Sequence, residues 1–326
     1  MREKGLGQTG VIDMHAHWYP EGSFEEILRN QPDFNLVALP SGGQRLTFRD
    51  SLVMSVPPGQ ADLEMRIATM DRLGIATEIL SVGALNIGWA GSSAATTARR
   101  INDALAEVCR QSSGRFRFVA VLPLEKRMGM IKELERALGL GAVGVGITTT
   151  VGDKTLDALE LREFWHEVSS RALTVLVHPT FPPNGPSHDQ GQFLTTGYLG
   201  ETAFAATRLV LAGVLEDYPG ARVVWSHLGG GLPMLVDRLD RTYKRFVKCP
   251  RPPTFYLRQC FYDTACTHGP ALDCAHATFG PGALLFGTDE PHVPNASEEV
   301  LAALRDRAWP VAELELVLSG NARQVV

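Results

Sequence analysis

Short apolar runs recur along the chain, separated by longer stretches in which apolar positions fall three or four residues apart. The runs occupy residues 11–17, 76–82, 117–122, 141–147, 173–177, 222–225, 261–265 and 283–287. Runs of this length, rich in Val, Ile and Leu, read as strands. Residues 173–177 are apolar throughout except Thr174, as expected of a strand buried on both faces of a parallel sheet. The intervening stretches read as helices. Over residues 61–73, Leu63, Ile67, Met70 and Leu73 share one helical face, and Gly74 follows at the C-cap position. Further helices are predicted over 96–112, 128–138, 156–171, 201–216, 234–247, 297–307 and 311–319.

Eight strands alternating with helices define an α/β fold, and a (β/α)8 barrel is the first choice. A doubly wound sheet would carry a Gly-rich phosphate loop after its first strand, and none follows residue 17. No shift in composition marks a boundary, so residues 1–326 read as one domain. A barrel takes about 250 residues plus insertions. The insertion expected here spans 19–60, where Pro32, Pro40, Ser41-Gly42-Gly43, Pro57-Pro58 and Gly59 forbid a long helix. It is expected to cover the barrel mouth, with a hairpin running through residues 45–48.

Composition narrows the possible partners. Apolar residues make up 44% and charged residues 21%, enough for a sizeable core. A net charge of -5 offers no basic footprint for nucleic acid. No apolar run reaches the roughly 18 residues that span a membrane, and the first residues lack the apolar core of a signal peptide. Five cysteines without a C-x-x-C pair point to neither a disulfide framework nor a zinc ribbon. A reducing cytoplasm is the expected compartment.

Candidate chemistry lies at the strand ends, where barrels of this kind build their active sites. The first strand ends in His15 and His17, whose i, i+2 spacing points both imidazoles to one side. The fifth ends in His178, the sixth in Ser226-His227 and the eighth in Gly287-Thr288-Asp289. Four imidazoles and a carboxylate converging on one pocket suit a divalent metal such as zinc. Among the other histidines, His166 and His276 fall on helices and His188 in a Pro/Gly-rich loop. His292 follows Asp289 closely enough to approach the pocket, and His268, after the seventh strand, is a candidate for substrate contact.

These motifs, taken in order, resemble the amidohydrolase superfamily. They are His-x-His at 15–17, Val-His-Pro at 177–179, Ser-His-Leu-Gly-Gly-Gly-Leu-Pro at 226–233 and Phe-Gly-Thr-Asp at 286–289. More narrowly, the chain is similar to the branch containing aminocarboxymuconate semialdehyde decarboxylase and the aromatic acid decarboxylases. The resemblance implies that His15, His17, His178 and Asp289 ligate one metal, zinc first and manganese as the alternative. It makes His227 the acid–base residue beside the metal-bound water, with Asp289 counted in the catalytic set. The fourth strand carries no lysine of the kind that bridges two metals in binuclear relatives, which argues for a single ion. His15 stands where some aromatic acid decarboxylases carry Glu, leaning towards the aminocarboxymuconate side.

Arg49 and Arg238 fall where the resemblance places arginines that bind a substrate carboxylate. In dimeric relatives, an arginine of the region around Arg238 reaches the neighbouring subunit, which implies a homodimer. The implied activity is non-oxidative decarboxylation of a small unsaturated or aromatic carboxylic acid. Hydrolysis of a C–C, ester or amide bond, or hydration, is the alternative that the same residues allow. The stretches 193–202 and 181–186 depart from the aminocarboxymuconate pattern, so a different substrate is expected.

Overall fold

The computed structural model describes residues 10–40, 42–49, 51–57, 62–124, 127–181, 191–245 and 249–326. In chain order its strands are β1 (Val11–His17), β2 (Phe34–Ala38), β3 (Gln44–Phe48), β4 (Ser51–Val56), β5 (Ile75–Ser81), β6 (Phe116–Phe118) and β7 (Val145–Thr148). There follow β8 (Thr150–Val151), β9 (Lys154–Thr155), β10 (Thr174–His178), β11 (Arg222–Trp225), β12 (Phe261–Asp263) and β13 (Leu284–Leu285). All eight runs read as barrel strands overlap one of them: β1, β5, β6, β7, β10, β11, β12 and β13.

These eight pair in chain order and in parallel, as β1-β5-β6 and β7-β10-β11-β12-β13. Two seams close the ring. A bridge joins Ala120 to Val145, flanked by the Val143 N–H donating to the Phe118 carbonyl at 2.9 Å. On the other side Ala16 bridges Glu290, and the Met14 N–H donates to the Phe286 carbonyl at 2.8 Å. The result is the predicted (β/α)8 barrel. Its interior is filled by Ile12, Met14, Ile79, Val119, Leu176, Val224 and Leu285, a buried cluster separate from the larger core under the helices.

Helix ends follow local chemistry. The helix Leu63–Leu73 starts at Asp62, whose carboxylate accepts the Met65 N–H, and stops at Gly74 with φ 76°. The helix expected over 201–216 divides into Tyr198–Leu211 and Val214–Asp217, because Gly213 between them turns left-handed at φ 74°. The helix expected from 156 begins only at Arg162; the Trp165 indole donates to the Leu156 carbonyl and holds that residue outside it.

Between β1 and Leu63–Leu73 the chain makes the short helix Ser23–Leu28 and an antiparallel sheet, β2-β3-β4. The predicted hairpin strand is β3, the middle of three. The sheet buries Phe34, Leu46, Phe48, Val53, Met54 and Val56. Phe48 packs on Phe181, just after β10, with ring centroids 4.7 Å apart. Tyr198 donates its hydroxyl to the Val53 carbonyl at 3.2 Å, and the His292 ring bonds the Ser55 carbonyl at 2.8 Å. The insertion is thereby tied to segments that follow β10 and β13.

Candidate metal centre

A bulge in β1 creates the histidine pair. The strand pairs with β5 as Asp13↔Glu78 and next as Ala16↔Leu80, so one additional residue is accommodated between them. Ile12 and Met14 therefore face the barrel interior, and so do His15 and His17 beyond the bulge. Asp13 secures this geometry by accepting the His15 N–H at 2.9 Å, the Thr288 N–H at 3.2 Å and the Thr288 hydroxyl at 2.6 Å.

One atom from each of His15, His17, His178 and Asp289 lies within 4.8 Å of the other three. Asp289 Oδ1 sits 3.2 Å from His15 Nε2, 2.7 Å from His17 Nε2 and 3.8 Å from His178 Nε2. The two Nε2 atoms of His15 and His17 are 3.1 Å apart. Each opposite ring nitrogen has its own partner: His15 Nδ1 meets Asp263 Oδ2 at 2.7 Å, His17 Nδ1 meets Ser81 Oγ at 2.8 Å, and His178 Nδ1 meets the Pro179 carbonyl at 2.7 Å.

That arrangement fits a divalent cation. A carbonyl only accepts, so His178 Nδ1 carries the proton and Nε2 keeps a lone pair. His178 Nε2 is buried without a hydrogen-bond partner, and Asp289, an acceptor, cannot supply a donor. For a neutral His15 ring the same reasoning puts the proton on Nδ1, towards the Asp263 carboxylate. Metal-ligating imidazoles are oriented in this way by partners on the far nitrogen.

Burial is the largest influence on each ionisable group here. It pushes His17 well below the ordinary imidazole range and His178 down to about 4. For His15, burial is outweighed by the charges of Asp263 and Asp289, and the group is held well above that range. Burial would raise Asp289, but the three histidines around it keep it a carboxylate. Its side chain is 21% exposed, which leaves the centre open on one side.

His227 stands at that open side. His227 and Leu228 have φ of 55° and 56°, followed by Gly229 at 71° and Gly230 at 65°, so four successive residues have positive φ. Gly230 has to be glycine: a Cβ there would lie 2.1 Å from the Leu199 carbonyl oxygen. The turn brings His227 Nε2 to 3.3 Å from Asp289 Oδ2, while its Nδ1 is buried without a partner.

The remaining candidates are placed elsewhere. Arg49 lies in the β3–β4 turn with its side chain 69% exposed, 3.5 Å from Asp33 and over the Phe48 ring. Arg238 is exposed on the helix Leu232–Thr242, beside an apolar cavity facing Tyr198–Leu211. His268 is exposed at the start of Gly269–Phe279. None of the three joins the histidine cluster within this single chain. His166 is exposed, and His276 pairs with Glu313 at 2.7 Å and stacks on Trp309. His188 and residues 182–186 lie outside the described residues. His292 does approach: its Nε2 is 2.7 Å from the Tyr19 hydroxyl, and its ring centroid is 5.1 Å from that of His17.

Asp263, Ser81 and Tyr19 are the site residues that sequence reasoning missed. Asp263 had a usable signal, as the polar end of the seventh strand. Next to His178 and Ser81 the barrel top holds a cavity lined by aliphatic side chains, among them Leu85, Leu122, Ile147 and Val151.

Frame and site together define a metal-site (β/α)8 barrel enzyme. The chain belongs to the amidohydrolase family, whose Amidohydro_2 model matches residues 12–326. It is 30% identical over 309 residues to 6-methylsalicylic acid decarboxylase of Penicillium expansum, covering 87% of this chain and 86% of that one. It is also 30% identical over 287 residues to gamma-resorcylate decarboxylase of a Rhizobium species, covering 80% of this chain and 86% of the relative. Among solved structures, the fold is shared with a dihydroxybenzoic acid decarboxylase of Polaromonas, solved with bound manganese and the inhibitor 2-nitroresorcinol. The TM-score is 0.78 at 24% identity, over 98% of this chain and 97% of that one.

Proposed function

We propose that this protein is a metal-dependent, non-oxidative decarboxylase of a small aromatic carboxylic acid. The observation that carries the reading is the convergence of His15, His17, His178 and Asp289 beside His227 in a family whose matched relatives are decarboxylases. The four would hold one divalent ion. Three imidazole nitrogens and a carboxylate suit zinc, and manganese, bound in the Polaromonas structure, is the alternative. When bound, such an ion supplies Lewis-acid polarisation of the substrate oxygens.

The chain's own residues supply the rest. Loss of CO2 from an aromatic ring needs a proton at the carbon bearing the carboxylate. The C–C bond then breaks, and its electron pair restores the ring. His227 Nε2 and Asp289 Oδ2, 3.3 Å apart, form the pair that holds and delivers that proton. The β2-β3-β4 insertion of residues 19–60 serves as the lid that keeps water out.

Metal-loaded protein incubated with 6-methylsalicylic acid, gamma-resorcylic acid and a set of unsaturated acids is expected to release CO2 and the ring product from at least one aromatic acid. Oxygen-18 from water appearing in a new carboxylate, without CO2, would overturn the reading in favour of hydrolysis.

We further propose that the chain works as a homodimer. Phe204 and Met234 are 69% and 78% exposed on the helices Tyr198–Leu211 and Leu232–Thr242, with Leu199, Leu235 and Arg238 beside them. An exposed apolar patch of this kind marks an interface, and Arg238 lies beside it. Light scattering is expected to give twice 35.5 kDa, and F204E to give 35.5 kDa; a monomeric parent chain would refute this. We place the enzyme in the cytoplasm, consistent with five cysteines that are all free. Among the described residues no helix is long and apolar enough to cross a membrane.

A further inference from the structure

We infer that Asp263 is a positioning residue that sets His15 and His227 in one shared geometry. The inference rests on the reading of His15 as a metal ligand and His227 as the acid–base residue. Asp263 ends β12, is fully buried, and divides its two carboxylate oxygens between the two histidines. Oδ2 is 2.7 Å from His15 Nδ1. Oδ1 accepts the backbone N–H of His227 at 2.9 Å and that of Ala265 at 3.1 Å.

Each contact has a distinct consequence. The first holds the His15 proton on Nδ1 and so leaves Nε2 as a lone pair aimed into the centre. The second anchors the peptide of a non-glycine residue held at φ 55°, a backbone state that persists only where its surroundings enforce it. Gly287 completes the arrangement. A Cβ at 287 would lie 2.7 Å from the Asp263 Cβ and 2.8 Å from the His15 Cβ. The glycine of Phe-Gly-Thr-Asp is thus the space in which these two side chains meet.

Asparagine is the informative substitution. All three groups that face Asp263 are donors, and an amide has only one acceptor. If the amide oxygen of D263N keeps the two backbone bonds, its NH2 group faces His15 Nδ1. That ring then moves its proton to Nε2 and loses the lone pair the metal requires. Zinc affinity, measured by competition with a chromophoric chelator, is expected to fall about 10–100-fold in D263N. In D263A, where the His227 anchor is lost as well, kcat at saturating zinc is expected to fall further than in D263N.

A purely structural role predicts something else: a lower melting temperature in D263N, with zinc affinity within twofold of the parent. That result would overturn the inference. Should D263N fail to fold, the parent protein decides it. In zinc-loaded protein carrying nitrogen-15 imidazoles, His15 is expected to keep a proton on Nδ1, and zinc found on Nδ1 would overturn the proposal. The affinity arm is independent of substrate, so failure to decarboxylate any acid would count against the proposed reaction and not against the role of Asp263.

Discussion

H227Q is expected to keep its metal and lose its turnover. None of the four atoms that converge on the candidate centre belongs to His227, so metal content by elemental analysis should match the parent protein. The loss in kcat should be about 10²–10⁴-fold, the usual contribution of a positioned acid–base group. Glutamine is close to histidine in length, and its side chain can bond Asp289 Oδ2 from the same position. It cannot pass a proton at neutral pH, so the substitution removes the transfer and leaves the contact. Full activity in this variant would remove His227 from the mechanism, and metal loss would make it a ligand.

D289N is expected to lose both metal and activity. Oδ1 of Asp289 faces His15, His17 and His178 together, and its charge is the only negative one among the four donors. Asparagine tolerates the φ of 64° found at this position, so the backbone should survive. The fall in affinity should exceed the roughly 10–100-fold cost of losing an outer partner. Chelator-treated parent protein should be inactive in the same assay and recover on addition of zinc or manganese.

Acid should act in the same direction, because an imidazole must be neutral to ligate. His15 is held above the ordinary range, so it reclaims a proton at a higher pH than His17 or His178 as the solution is acidified. Metal content measured against pH is therefore expected to fall first through His15. Undiminished turnover in metal-free protein would sink the assignment of the centre.

The barrel is legible in the sequence because its signal is local and repeated. Each strand announces itself within about four to seven residues, and parallel pairing in chain order needs no long-range information beyond closure. The polar residues ending those strands are equally legible, since apolar runs ending in His15, His17, His178, His227 and Asp289 are visible by eye. For the insertion after β1, the sequence predicts an irregular segment with one hairpin, whereas the fold contains a three-stranded sheet. Its Pro and Gly content marks turns, but β2 and β4 owe their order to pairing with β3, and Phe34 of β2 and Phe48 of β3 pack on Phe181.

Arg49 and Arg238 show the opposite limit. A charged side chain on a loop or helix face carries no local mark of where its guanidinium rests. Arg49 rests against Asp33, and Arg238 lies by an apolar patch. His268 stays at the surface for the same reason: a residue shortly after a strand end can cap a helix as readily as it can enter a pocket.

By itself, then, the chain determined the alternation of elements, the order of the strands and the chemical type of the residue ending each one, because all of these are written within a few neighbouring positions. Tertiary structure decided the rest. It placed a bulge in β1 so that His15 and His17 join the interior, and it folded four successive residues of positive φ into the turn that aims His227. It also brought Asp263 to His15 across 248 positions of sequence. Which nitrogen of a histidine is free to bind a metal depends on what sits against the other one, and that partner is supplied by the closed barrel.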